Sequence, residues 1–176
     1  MEYTGKITNA FLYILLFSLG GCDLGQNNDA RKNNPNTDPF YIEEKGFDFN
    51  RFPLIKPYEV VTLNHGTSWD LGLKGLKDDE AWLSVCVSNV KKLDVKSNLI
   101  LAYGSDSTYL NNHKVFEAWF VINPTIKEEK GFTNEEEFSS YLKKQGIEKP
   151  KWREVNEVFK QFLDTYCLEW IPSCKK

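Results

Sequence analysis

The chain has 176 residues, a net charge of −3 and an aromatic content of 14%. That aromatic content excludes a chain disordered throughout, and the near-neutral charge with scattered lysines leaves no electrostatic footprint for nucleic acid. The one dense basic run, Lys143 to Arg153, is interspersed with and flanked by glutamates.

The first element is an apolar run from Ala10 to Leu19, with Lys6 upstream. Ten helical residues span about 15 Å, half of a hydrocarbon core of about 30 Å, so this run is too short to cross a membrane. A basic residue, a short apolar core and small residues before a cleavage point are the parts of a signal peptide. The segment ends Leu19-Gly20-Gly21-Cys22 and there resembles the lipobox of bacterial lipoproteins. The resemblance implies a signal peptide over residues 1–21 and lipidation of Cys22. It also implies a membrane-anchored protein of the cell envelope, since two or more acyl chains hold stably where one is marginal. The alternatives are an ordinary secretory signal, with Cys22 a bystander, or a buried core helix. From Asp23 to Pro39 the sequence holds one leucine, no aromatics and five asparagines. Such a segment buries too little apolar surface to offset its chain entropy, so residues 22–39 are expected to form a flexible tether.

Residues 40–176 then form one globular domain, large enough for a core without metal or disulfide support. Tyr58 to Leu63 is the first expected strand, followed by a turn at "HGTSWD" and a loop or short hairpin at "LGLKGLKDDE". "AWLSVCVSNV" and "SNLILAYGS" are expected strands, the second closed by Gly104, and "STYLNNHK" holds an Asn-Asn hairpin turn. "KVFEAWFVI" is apolar on both faces except at Glu117 and should lie inside the sheet. The period then changes. Thr133 with Glu136 has the capping-box spacing and opens a helix through Phe138 and Leu142 to Gly146. A second helix is expected from Pro150, with Trp152, Val155, Phe159, Phe162 and Tyr166 as its apolar stripe. Strands first and helices last predict an α+β fold: an antiparallel sheet of about four or five strands, covered on one face by two C-terminal helices.

Patterns that carry chemistry are sparse. Asp106 to Glu117 brackets a window of calcium-loop length, but Leu110 and Asn111 stand where a ligand and a glycine belong. His65 and His113 each sit beside turn residues without a partner at metal spacing, so no metal site, cofactor or catalytic residue is assigned. With Cys22 lipidated, Cys86, Cys167 and Cys174 remain. Cys167 and Cys174, seven apart around Pro172, are the preferred disulfide, against three reduced thiols; Cys86, in an alternating strand, is expected to pack as a small hydrophobe. Of five tryptophans, Trp69 and Trp170 have the local sequence least demanding of burial and are the candidates for partner binding.

"KVFEAWFVINPTIKEEKGFTNEEEFSSYLKKQGI" resembles a unit of small bacterial lipoproteins and of some toxin-immunity proteins, and "RFPLIKPYEVVTLN" looks like the opening of lipoprotein domains in Bacteroidota. The resemblance implies a protein-binding module, an immunity protein being one form, and carries over no catalytic residue. A small envelope hydrolase and a structural subunit of an envelope complex are the alternatives.

Overall fold

The computed structural model describes residues 38–42, 49–63, 67–73, 84–111, 113–147 and 149–174. Cys22, His65 and Trp82 therefore lie outside the described residues, as do the expected signal peptide and nearly all of the tether. The described body begins inside the segment expected to be tether. Asp38 Oδ1 accepts the Phe40 N–H at 3.0 Å, its Oδ2 lies 2.8 Å from Lys56 Nζ, and Pro39–Ile42 form a short helix, α1.

Two antiparallel sheets come next. The first has four strands in the order β1 (Asn50–Pro53), β2 (Tyr58–Thr62), β3 (Asp70–Leu73) and β4 (Ser84–Val87). The second has five: β8 (Glu128–Phe132), β7 (His113–Asn123), β6 (Leu99–Leu110), β5 (Val90–Lys96) and β9 (Arg153–Glu154). Two helices, α2 (Glu135–Lys144) and α3 (Val155–Thr165), complete the α+β fold.

The alternation along β6 and β7 decides the layering, because successive side chains in a strand point to opposite faces. Ile100, Ala102, Ala118, Phe120 and Ile122 join a core shared with the four-stranded sheet and α3. Leu99, Leu101, Trp119 and Val121 join a second core under α2, with Phe138, Leu142 and Ile147. The five-stranded sheet is thus covered on both faces, which corrects the expectation of one. The run "KVFEAWFVI" is apolar on both faces because each face has its own core.

Several boundaries also move. The run expected as one strand over 81–90 breaks at Asn89, whose positive φ of 57° turns the chain from β4 in one sheet to β5 in the other. β6 continues past Gly104 to Leu110. The cap of α2 is Asn134, not Thr133: Asn134 Oδ1 accepts from the N–H groups of Glu136 at 2.7 Å and Glu137 at 3.1 Å. Gly146 ends the helix with φ 74°, and the Ile147 N–H returns to the Leu142 carbonyl at 3.0 Å. Residues 150–152 are not helical, and α3 starts at Val155. Trp152 leaves the α3 stripe and stacks on Phe138 in the second core, their ring centroids 6.0 Å apart.

Candidate functional site

The two tryptophans singled out from sequence are not equivalent. Trp69 is 2% exposed, which corrects its expected place at a partner surface. It packs on Phe159 with centroids 4.9 Å apart, and its Nε1 donates to Asn156 Oδ1 at 2.7 Å, so it ties the four-stranded sheet to α3. Trp170 is half-buried against the same core and its Nε1 donates to the Pro53 carbonyl at 3.0 Å. Both indoles are held by the fold. Cys167 and Cys174 form a disulfide with Cα atoms 5.6 Å apart.

Exposed aromatic surface lies elsewhere, on the arm formed by the distal halves of β6 and β7. Its sharp bend comes from a bulge. Ser105 pairs with Glu117 and Thr108 with Val115, so Asp106 and Ser107 together face Phe116. Both take positive φ, 58° and 95°. A two-against-one mismatch bends a strand and increases its twist. The bend is held from outside by Asn89, whose Nδ2 donates to the Asp106 carbonyl at 2.7 Å, and by Lys91, whose Nζ is 3.2 Å from Asp106 Oδ2. Beyond the bulge the arm curls over the first core. Leu110 and Val115 pack against that core, and Thr108 is fully buried.

Glycine makes this close approach possible at two points. A Cβ on Gly131 would meet Leu110 Cδ1 and lie 3.1 Å from Phe120 Cε1. A Cβ on Gly104 would lie 2.8 Å from Thr108 Oγ1 and 3.0 Å from the Ser88 carbonyl oxygen.

The arm's other face looks outward. Tyr109 pairs directly with Lys114, and Phe116 is two residues along the same strand, so the three share one side. Phe116 is 75% exposed and Tyr109 52%. His113, at the tip, is exposed as well. Two large rings with polar neighbours make the arm the most apolar outward surface of either long strand. The sequence signal for it was Tyr109 and Phe116 on either side of the Asn-Asn turn; they share a face because Phe116 lies two residues beyond Lys114, the partner of Tyr109.

A separate polar cluster sits where the two sheets meet. Glu129 Oε1 accepts from Tyr58 Oη at 3.3 Å and from Cys86 Sγ at 3.0 Å. Burial first, then the hydrogen bond and the charge of Glu129, push the Cys86 thiol well above its usual range. The Tyr58 hydroxyl is pushed up by burial and by the charge of Glu129. A thiol held protonated is a poor nucleophile, and through Glu129 the cluster links β2 and β4 of one sheet to β8 of the other. Cys86 does pack at the first core, but its sulfur also donates, which the alternating pattern did not indicate. Among the described residues no group of three or more His, Cys, Asp or Glu side chains is placed to hold a metal, and no helix is long and apolar enough to cross a membrane. Neither family models, nor curated proteins, nor solved structures match the chain, so the residues themselves carry the functional argument.

Proposed function

We propose that the protein is a membrane-anchored lipoprotein of the bacterial cell envelope that works as a protein-binding module, in the form of an immunity protein that occludes a toxin. The anchor reading rests on Lys6, the apolar run to Leu19 and the Gly20-Gly21-Cys22 ending. The binding reading rests on one observation: Tyr109 and Phe116 stand exposed on the same face of a braced arm. Exposed aromatics of this kind are the usual anchors of interfaces, because they bury much area while ordering few torsions. The partner that fits is a protein with an apolar socket and a carboxylate within reach of Lys114.

The test has two parts. Mass spectrometry of the protein made in a bacterial host should find Cys22 diacylated at a new N-terminus. The full chain, immobilised, should capture a toxin from envelope extracts, a product of a neighbouring gene being the candidate prey, and Phe116→Ser with Tyr109→Ser should abolish capture without lowering the melting temperature. Equal capture by the double variant removes the arm as the contact surface, and an unmodified Cys22 removes the anchor.

A further inference from the structure

Apart from the arm, at the far end of β6, the molecule carries a second surface of different chemistry. A cleft of about 740 Å³ is lined by Lys96, Ser139, Ser140, Lys143, Lys149, Pro150 and Lys151. Lysines from three separate segments converge there: the end of β5, the last turn of α2 and the loop leading to β9. No carboxylate lines the cleft among the described residues. On a chain of net charge −3 this is a local reversal of sign.

Two ordinary explanations cover only part of it. A lysine in the last turn of a helix complements the helix dipole, and that accounts for Lys143. It does not account for Lys96, Lys149 or Lys151, which lie outside the helix. Solvated lysines are common on any surface, but these are set on a fixed frame. Ile147 is buried in the second core, and Trp152 stacks on Phe138. Between them the Lys151 N–H donates to Asp94 Oδ2 at 2.8 Å. Asp94, 9% exposed, is thereby engaged beneath the loop by a backbone donor. The backbone at Lys151 and Trp152 is therefore held, and Lys96, Lys143, Lys149 and Lys151 all line the cleft.

We propose that this cleft binds a phosphate-type oxyanion carrying two or more negative charges. Lysines act as compact point charges, suited to a dense anion, whereas the planar fork that favours a carboxylate is arginine's. The hydroxyls of Ser139 and Ser140 supply donors for the remaining oxygens. Such a group occurs both on lipid headgroups and on soluble polyphosphates, and the experiment separates the two.

The full chain, purified in a zwitterionic detergent at low salt, is titrated by calorimetry with sodium tripolyphosphate and, separately, with dihexanoyl phosphatidic acid below its micelle concentration. Saturable one-to-one binding with a Kd below about 1 mM is expected for at least one of them. The tighter of the two identifies the source. Lys149→Gln with Lys151→Gln, both exposed, should weaken that binding about tenfold or more. Lys127→Gln with Lys160→Gln, the same charge change at exposed positions outside the cleft, should leave it within about twofold. Failure of both anions to saturate overturns the proposal, and so does an equal loss in the two double variants, which would mark diffuse charge rather than a site.

Discussion

Thr108 shows what the arm demands of a single side chain. It is fully buried and its Oγ1 has no hydrogen-bond partner among the described residues. A buried hydroxyl left unsatisfied costs about 1–3 kcal/mol, so Thr108→Val, which keeps the shape and removes the donor, should stabilise the protein by up to about 1 kcal/mol. Urea denaturation reads this, and a loss of stability would mean that the hydroxyl has a partner. Tyr103 gives a pH signature. Its Oη donates to Glu117 Oε2 at 2.6 Å, and that bond, then burial and the Glu117 charge, push its pKa up to about 12 from 10.0. A raised pKa means that the folded state holds the proton more tightly than the unfolded one. The contribution is therefore whole below pH 10 and is lost as pH rises towards 12. The difference between wild type and Tyr103→Phe in absorbance at the tyrosinate band should place a single titration near the upper end of that window; one near 10.0 would count against the Glu117 bond.

At the level of elements, the start of α2 turns on two adjacent residues. Thr133 and Asn134 are both good capping residues, and the capping-box spacing to Glu136 favoured the threonine. Asn134 takes the position in the structure, with extended φ and ψ of −128° and 124° and two N–H groups on its side chain. Asn134→Ala should then cost about 1 kcal/mol, while Thr133→Ala, at an exposed position, should cost no more than a few tenths. The reverse order in thermal melts would restore the threonine as cap. The arm makes a second such case. Gly131→Ala places a methyl against Leu110 Cδ1 and the Phe120 ring, and overpacking of this kind costs about 1–3 kcal/mol. Shortening the obstructing side chain should relieve it, so Gly131→Ala with Leu110→Ala should lose less than the two single changes added together. Strict additivity in that cycle would mean that the tip of the arm does not sit over β8.

At the scale of the whole molecule, Trp69 joins β3, β1 and α3 through its contacts with Phe52, Phe159 and Asn156. Trp69→Ala should cost about 3–5 kcal/mol, and Trp69→Phe a good part of it through the lost indole donor. A near-neutral Trp69→Ala melt would return that residue to the surface. The two long strands also set how far apart the outward features lie. β6 runs from beside the basic cleft to the arm, and at about 3.3 Å per residue its 12 residues would span about 36 Å if straight, less with the bend at Asp106 and Ser107. A protein partner on the arm and an anion in the cleft would therefore bind without competing, at opposite ends of one strand.

How much of this was legible depends on the range of the interactions. Local chemistry carried part of it: the apolar stripe of α3 from Val155 onward, the two-faced apolar run of β7 and the glycine stop of α2 are each written within a dozen residues or so. The order of strands before helices was enough to name an α+β fold with a sheet and two C-terminal helices. Cores shared between distant segments were not legible, because nothing in the alternation of β6 says which element will cover each face. Trp69 has the sequence surroundings of a turn residue, and only the packing of α3 buries it. The arm's aromatic face depends on a single extra residue in β6, which rotates the strand beyond the bulge. Short-range preference thus determined the pieces, while the pairing of surfaces remote along the chain, a matter of long-range packing, decided which aromatics are buried and where like charges gather.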